Sequence, residues 1–299
     1  MAMTMTEFLV LAQPGIDAVH MEEETPFAEQ YSRIFNVRDQ SDLYDDEAKM
    51  AGFGGMAEIA EGGDVTYDEA IAPVTRRYNL SKRGLGYQIT EKLWRFDRYG
   101  KVKELEKALR RADMHDTEQF FFGLLNSATA TTISTGFDGL ALTSTAHTRM
   151  DGGATIGNRP SSLAALSLTA LEDACIAFTK LTDDRGRPYL STPKKLLIPL
   201  DLRLVAREIL GSKLNPNVAT NATNALVDEF DISVVASPYI TSTTFWALVG
   251  DKHDIQARWN MRPKSDSETD FDSSTIKRKL EKWMGRGHGE WRGFYQGNT

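Results

Sequence analysis

Phe137-Asp138-Gly139-Leu140-Ala141-Leu142-Thr143-Ser144-Thr145-Ala146-His147 opens the stretch that is most informative about the fold, which continues to Gly211. Its pattern predicts, in order, a glycine-bearing loop, a helix, a turn, a buried strand and a second helix: Asp151–Asn158, Leu168–Leu181, Asp183–Pro188, Lys194–Pro199 and Leu202–Leu210. Asp201 is placed to cap the second helix. The stretch contains no nucleophile elbow, phosphate-binding loop or metal-ligand spacing. It therefore indicates a folding unit and gives no sign of catalysis.

The composition is that of an ordinary soluble globular protein, with 41% hydrophobic and 26% charged residues. The net charge of −7 lacks the basic surplus that supplies affinity for phosphates, which argues against a sequence-specific DNA-binding protein. No apolar run approaches the ~18 residues of a membrane span, and Met1–Ala12 has no basic flank typical of a secretory signal. The single cysteine, Cys175, is expected to be a buried apolar residue, so the chain suits a reducing cytoplasm.

Residues 1–45 are predicted to form an extended arm with little core of its own, including a short strand at Tyr31–Val37. Residues 46–80 predict a long hairpin, because Gly62-Gly63-Asp64 is a turn signal between stretches with few large apolar residues. A two-stranded hairpin is marginal when it stands alone in water. We therefore expect it to rest on a surface, either of its own domain or of another subunit.

The longest predicted helix covers Lys101–Asn126. Apolar side chains at 102, 105, 109 and 112 recur every three or four residues and predict one buried stripe, with charged residues on the other faces: Glu104, Glu106, Lys107, Arg110 and Arg111. The end of the helix, Phe120–Leu125, is apolar nearly all round and is expected to be deeply buried. At ~1.5 Å per residue the helix is roughly 39 Å long, which is long for a domain of this size.

Strands and helices alternate between residues 163 and 250, which predicts a small α/β unit inserted into the chain. Two of its strands are predicted at Ile232–Ala236 and Thr244–Val249. The acidic stretch Lys264–Asp272 is expected to separate this unit from a last strand-rich segment, Ser274–Tyr295.

The residue types that could carry chemistry are scattered. The five histidines show no metal-ligand spacing. Asp45-Asp46 and Asp183-Asp184 are carboxylate pairs of a kind that usually caps and solvates loops, and the second pair is interpreted as part of a helix stop and turn. For Gly285-Arg286-Gly287-His288-Gly289 a bend or bulge in a strand is predicted, because no helix follows to bind an anion. No catalytic, cofactor-binding or metal-binding residue is predicted.

Taken in order, these motifs resemble the major capsid proteins of tailed bacteriophages with the Hong Kong 97-type fold, most closely the Mu-like group of major head subunits. The resemblance implies an α+β fold with an N-terminal arm, an extended β-hairpin loop, a peripheral domain built on a long spine helix, and an inserted α/β axial domain. The implied division is: arm 1–45, extended loop 46–80, peripheral domain 81–160 with the spine helix at about 101–126, axial domain 161–258, and return to the peripheral domain 259–299.

The resemblance further implies a structural protein and not an enzyme. Copies would form hexamers and pentamers and close an icosahedral shell in the virion, after assembly in the host cytoplasm. Double-stranded DNA would be enclosed without sequence-specific binding. The other implied partners are a separate scaffolding protein, a portal and a possible decoration protein, with no membrane and no cofactor.

The tip of the extended loop holds the candidate inter-subunit contacts. It contains no lysine, so no covalent cross-link of the kind some relatives make is expected there. The candidate residues are Gly62, Gly63, Asp64, Val65, Thr66 and Tyr67.

Two other functions stay open at this point. A protein nanocompartment shell, which encloses an enzyme, would have the same fold and differ in its cargo. A soluble α/β enzyme using His147 or the Asp183-Asp184 region is the third possibility. The residue chemistry alone does not favour either.

Overall fold

The computed structural model describes residues 29–97, 100–212 and 223–298, so the first 28 residues of the predicted arm lie outside the described residues. Within these ranges the chain has an α+β fold. Its strands are β1 (Asn36–Asp39), β2 (Tyr44–Lys49), β3 (Val74–Asn79), β4 (Ser81–Ile89), β5 (Pro193–Ile198), β6 (Ser233–Ala236), β7 (Trp246–Gly250), β8 (Ile255–Thr269), β9 (Ile276–His288) and β10 (Phe294–Asn298). Its α-helices are α1 (Glu91–Arg95), α2 (Lys101–Asn126), α3 (Leu168–Thr179), α4 (Arg203–Gly211) and α5 (Ala225–Glu229).

The described strands assemble into three sheets. The first sheet has the order β1-β8-β9-β4, the second has the order β10-β7-β5-β6, and β2 pairs with β3 alone. In the first sheet, β8 and β9 form a long antiparallel hairpin and β1 joins β8 in parallel. In the second sheet, β5 and β6 are parallel, whereas β7 is antiparallel to β5 and to β10. Each large sheet is therefore mixed.

The long helix α2 has the predicted bounds, Lys101–Asn126. The Asp97 carboxylate accepts the backbone N–H groups of Lys101 and Val102 at 2.8 and 2.9 Å, which satisfies two orphan donors at the start of the helix. At the other end, Phe121 and Phe122 are fully buried. They belong to a core cluster that includes residues of both large sheets, so the predicted deep burial of this end is confirmed and the helix end lies where the two sheets meet.

The first half of α2 is buried differently from the prediction. Val102 and Leu109 face inward, but Leu105 is exposed and Glu106 is buried. The reason lies on β9, where Arg278 forms an ion pair with Glu106 at 2.5 Å and the Lys282 ammonium lies 2.9 Å from Asp113. A buried cation needs an anionic partner. The helix therefore turns carboxylates, and not a continuous apolar stripe, toward the sheet.

The second sheet confirms its sequence prediction most closely. Leu196, Leu197 and Ile198 on β5 are fully buried, as expected for a strand covered on both faces. One face packs against α3 through Phe178 and Cys175. Burial raises the pKa of the Cys175 thiol to about 12, so this cysteine is an unreactive core residue, as predicted.

Two local predictions are wrong. Tyr31–Arg33 form a 3₁₀-helix, and the strand begins only at Asn36. The buried Glu118 carboxylate on α2 accepts the backbone N–H groups of Gln30 and Tyr31, at 2.7 and 3.1 Å, and so fixes this turn. Before α4, a 3₁₀ turn at Leu200–Leu202 precedes the helix, so the Asp201 side chain does not cap it.

The C-terminal segment also differs from the prediction. The acidic stretch Lys264–Asp272 does not separate two units, because β8 runs through it to Thr269. The last strand, β10, was expected to complete the same sheet as β9. It pairs instead with β7 of the second sheet, through Phe294–Val249 and its neighbours. The chain thus returns to the first sheet through β8 and β9 and then ends in the second.

Candidate assembly surface

Residues 50–73, here called the projecting loop, join β2 to β3 and form no strand. At its tip the Gly63 N–H donates to the Ala60 carbonyl at 2.8 Å, so the predicted turn is present. Gly62 has a φ of +80°, in the region that favours glycine. The predicted hairpin ladder ends at the Lys49–Val74 pair. Glycines and small residues offer no packing surface of their own, which explains why pairing stops there.

The side chains of the projecting loop are nearly all exposed. The six candidate contact residues, Gly62–Tyr67, all lie on the surface, and Tyr67 is 93% exposed. The sequence interpretation did not single out Phe53, Met56 and Ile59, of which Met56 is fully exposed. Their signal was available, because each is a large apolar residue among glycines, alanines and carboxylates. Large apolar side chains exposed together on one segment make it a candidate interaction surface.

Arg185 fixes the root of the projecting loop. Its Nε donates to the Gly52 carbonyl at 2.8 Å and its Nη2 donates to the Glu69 carbonyl at 2.7 Å, which joins the two limbs. Asp68 accepts the Gly54 N–H at 2.6 Å, and this bond, aided by the Arg185 charge, lowers the pKa of Asp68 below its ordinary value. The loop therefore leaves the body of the subunit at a fixed place.

The turn that carries Arg185 is held by the Asp183-Asp184 pair. Asp184 lies 2.6 Å from Lys49 Nζ and 2.9 Å from Arg292 Nη2. Burial by itself would raise the pKa of Asp184, but the bonds and charges of these two cations outweigh it and lower the pKa. Asp183 accepts two backbone N–H groups of the turn at 2.9 Å each. These bonds agree with the prediction that Asp183-Asp184 is part of a turn. Both carboxylates form bonds that stabilise this turn and its neighbours.

His147 is a packing residue. It is fully buried, its Nδ1 lies 2.5 Å from Asp138 Oδ2, and its ring stacks on Trp291 with centroids 4.1 Å apart. Burial would raise the pKa of Asp138, but the hydrogen bond and charge of His147 lower it. Asn158 accepts from Ser144 N–H at 2.9 Å and lies 3.1 Å from His147 Nε2. These hydrogen bonds hold together the stretch that opens at Phe137. The His147 ring is not exposed to solvent.

The glycine-rich motif also has a packing role. Gly285 and Gly287 lie inside the continuous strand β9, so the predicted bend or bulge at these glycines is wrong. The register shift begins on the partner strand β8, between Trp259 and Met261. A Cβ at Gly287 would lie 2.8 Å from the ring of Tyr78 on β3. Glycine is required there because that ring lies against the strand.

The other carboxylate pair is also occupied by ion pairs. Asp46 forms two 2.7 Å hydrogen bonds with Arg77, and Asp45 pairs with the buried Arg258. Among the described residues no group of three or more histidine, cysteine, aspartate or glutamate side chains could hold a metal ion. None of the helices in the described ranges combines the length and hydropathy that a membrane span requires.

The fold is that of several solved phage structures. A chain of Microbacterium phage Oxtober96 matches with a TM-score of 0.58 at 10% identity, covering 100% of this chain and 99% of that chain. The capsid of Myoviridae phage XM1 matches with a TM-score of 0.54 at 12% identity, covering 92% of this chain and 93% of that chain. The capsid of bacteriophage JBD30 decorated with minor capsid protein trimers matches with a TM-score of 0.56 at 16% identity, covering 80% of this chain and 100% of that chain.

Sequence comparison gives the family. No curated protein matches the chain. The family model for phage capsid protein matches residues 73–297, which is well over half of the sequence and includes the long helix, the second sheet and the strands β4, β8 and β9 of the first sheet. Together with the Hong Kong 97-type fold, this match shows that the chain belongs to the phage capsid protein family.

Proposed function

We propose that copies of this chain form hexamers and pentamers, which join into an icosahedral shell around double-stranded DNA. Membership of the capsid family gives the protein a structural role in the virion capsid, as a major capsid protein of a tailed phage. The observation that carries the assembly proposal is the projecting loop, which has a fixed root but exposed apolar side chains. Such a segment gains buried area only when another subunit covers it.

We propose that the subunit is divided as the resemblance implies, with one change. The arm is 1–45, the extended loop is 46–80, the peripheral domain is built on α2 and the first sheet, and the axial domain is built on the second sheet. The change concerns the C-terminus, because β10 pairs with β7 and therefore belongs to the axial sheet. The peripheral return then consists of β8 and β9.

The Mu-like assignment and the other partners are proposed on the order of motifs from Phe137 to Gly211. A scaffolding protein, a portal and a decoration protein would complete the particle. The decoration proposal has some support in the JBD30 capsid, which carries trimers of a minor capsid protein. The net charge of −7 suits a wall that encloses DNA without binding it tightly.

Deletion of Gly52–Ala70 tests the bridging role of the loop. We expect subunits that fold but do not form normal shells, because the deletion removes the exposed tip and leaves the β2–β3 ladder intact. Electron microscopy and sedimentation measure shell formation, and circular dichroism measures folding. Normal shells from the deletion variant would disprove the bridging role.

A second experiment tests whether the particles enclose double-stranded DNA. Wild-type particles should contain DNA that is protected from nuclease.

A point variant gives a milder version of the deletion test. Tyr67→Ser removes an aromatic side chain that is 93% exposed, so the stability of the isolated subunit should change by less than ~0.5 kcal/mol. Shell yield should fall, because the ring would be buried only in the assembly. Thr66→Ser, at the next position, is the matched control and should assemble as the wild type does.

A further inference from the structure

Strand β4 is an outer strand of the first sheet, and its free side is long and regular. All nine of its residues, Ser81–Ile89, pair with β9 without a register shift. The other outer strands of the two large sheets are shorter, with four residues in β1, four in β6 and five in β10. Within the described ranges no strand pairs with the outer side of β4. This side therefore presents a row of backbone N–H and C=O groups to which another strand can bind.

Natural sheets usually protect such an edge, and β4 lacks that protection. Proline, a β-bulge or an unpaired charge in an edge strand discourages pairing with another chain. The centre of β4 is instead Gly84-Leu85-Gly86, in regular register with β9. Its two cations are already paired. Lys82 lies 2.9 Å from Glu281, and Arg83 donates to Asp116 at 2.9 Å. The strand therefore has the properties of an interface.

The side chains of β4 alternate between the two faces of the sheet. Arg83 and Tyr87 point toward α2 and donate hydrogen bonds to carboxylates of that helix. Leu85 lies between them on the same face and is 57% exposed. Gly84 and Gly86 leave the centre of the other face without side chains. A second strand can therefore approach the centre of β4 without meeting a bulky side chain, and it would cover Leu85.

A cavity of about 200 Å³ adjoins Leu85, between β4, α2 and β9. Leu109 and Ala112 of the helix and Leu280 of β9 line it together with Leu85. Apart from Gly84, its other lining residues are two cations and two carboxylates that form ion pairs with each other. An apolar side chain that enters from the free side of β4 would bury the apolar part of this lining. The centre of the edge thus offers an apolar contact beside its backbone groups.

The sequence of β4 is complementary to a second copy of itself. When two copies pair in antiparallel orientation over all nine residues, Leu85 lies opposite Leu85 of the other copy. The remaining opposite pairs are Gly84 with Gly86, Arg83 with Tyr87, Lys82 with Gln88 and Ser81 with Ile89. No charge meets a like charge in this register, which is a requirement for a stable strand pair. Both Leu85 side chains lie on the same face, beside the two cavities.

We propose that β4 pairs with β4 of a neighbouring copy in antiparallel orientation, with Leu85 at the two-fold axis. The contact is isologous, because the same strand serves on both sides. It would join two four-stranded sheets into one continuous sheet. The inference rests on the proposed function, since it names a surface through which copies meet. This surface is separate from the projecting loop, because no residue of 50–73 belongs to it.

Cysteine substitution at the axis tests the pairing. In assembled particles Leu85→Cys should give disulfide-linked dimers on mild oxidation, because opposite residues of antiparallel strands have Cα atoms ~4.5–5.5 Å apart, which a disulfide can span. Ser81→Cys is the matched control. It is exposed on the same strand, but its two copies would be eight residues apart, or ~26 Å at ~3.3 Å per residue. Non-reducing electrophoresis measures the dimer, and the buried Cys175 should give none in the wild type.

Mixed particles test the register. Lys82→Cys and Gln88→Cys subunits should link to each other when they are assembled together, because positions 82 and 88 lie opposite one another. Neither variant should link to itself when it is assembled alone. Links within the Gln88→Cys particles and none in the mixture would overturn the register centred on Leu85.

Charge exchange at the axis gives an independent readout. Leu85→Lys alone and Leu85→Glu alone should each lower shell yield at least threefold, because each residue would meet its own charge across the axis. An equal mixture of the two variants should assemble at least twofold better than either one, since lysine then lies opposite glutamate. Leu190→Lys and Leu190→Glu are the controls, because Leu190 is 74% exposed and lies outside β4. Their mixture should assemble no better than either alone, and circular dichroism checks folding.

The outcomes separate this inference from the proposed function. If wild-type subunits form no shells, the proposed function fails and the inference fails with it. If wild-type shells form but Leu85→Cys gives no dimer, or Ser81→Cys dimerises equally, the pairing is overturned and the proposed function stands. If a strand of another protein covered the edge, Leu85→Lys and Leu85→Glu would not rescue each other, which would also overturn the pairing of two copies.

Discussion

The β8–β9 hairpin of the first sheet and the projecting loop between β2 and β3 are both long excursions of the chain, but they are stabilised in opposite ways. The hairpin is paired from Ile255–His288 to Thr269–Ile276 and carries buried ion pairs to α2. Strand pairing next to the projecting loop is confined to β2 and β3 and ends at the Lys49–Val74 pair. The side chains of the loop itself face solvent. One excursion is therefore stabilised within the subunit, whereas the other is the segment for which we propose a contact with a second subunit.

The largest effect is expected where the hairpin meets the helix. Lys282→Ala leaves Asp113 and Asp116 without the ammonium that lies 2.9 and 3.0 Å away. Breaking a buried pair by removing one partner costs ~3–5 kcal/mol. Urea unfolding of unassembled subunits measures the loss. Lys279→Ala, an exposed lysine on the same strand, should cost less than ~0.5 kcal/mol. Equal losses would show that the buried pair has no special role.

Glycine substitutions compare the two regions directly. Gly287→Ala on β9 places a Cβ 2.8 Å from the Tyr78 ring, and overpacking of this kind costs ~1–3 kcal/mol. Gly55→Ala in the projecting loop meets no atom within 4 Å, and its effect should be within ~0.5 kcal/mol. Thermal unfolding of the two variants should therefore separate them clearly. A destabilised Gly55→Ala subunit would mean that the loop packs on its own body.

Acidification should loosen the root of the loop. The pKa of Asp184 is lowered below its ordinary 3.8, so its contribution to stability is fully present above pH 3.8 and is lost as the pH falls through the folded-state pKa. Asp184→Asn should be less stable than wild type at pH 7, and the difference should shrink at acid pH. Unfolding curves at several pH values measure this. If the difference in the free energy of unfolding between the two proteins stayed constant from neutral to acid pH, the stabilising role of the Asp184 charge would be contradicted.

The smallest effect on stability is expected at Arg185. Arg185→Ala removes two hydrogen bonds to exposed loop carbonyls, so the free energy of unfolding should change by less than ~1 kcal/mol. The limbs of the loop would separate, and limited proteolysis within Gly52–Ala70 should accelerate severalfold. Arg187→Ala is the control, because Arg187 pairs with Asp183 on the same turn. Equal protease sensitivity in both variants would contradict a specific role for Arg185.

Much of the local structure followed from sequence patterns. The bounds of α2 come from its periodicity. The turn at Gly62-Gly63 follows from glycine's access to positive φ. Predictions failed where a distant residue intervened, as at Tyr31, where Glu118 fixes a 3₁₀ turn in place of the expected strand.

The candidate site was predictable in outline only. A polar hairpin with a glycine turn indicated a segment in need of a partner, and its exposure agrees with that. The exposed apolar residues Phe53 and Met56 could have been found from composition. The residue that anchors the loop, Arg185, could not have been found from the sequence. It lies 133 residues from Gly52, and no local pattern joins the two. The segment 1–28 lies outside the described residues, so its predicted role as an arm stays a prediction.

The sequence alone was enough to predict the bounds of the long helix α2, the strand that is buried on both faces, and the lack of a catalytic motif among the chemistry-bearing residues. These depend on periodicity and turn chemistry over a few residues. Only the tertiary structure shows that Glu106 faces inward and that β10 joins the second sheet. Each of these depends on which distant residue lies opposite, because burial and pairing set the cost of every charge and every open strand edge.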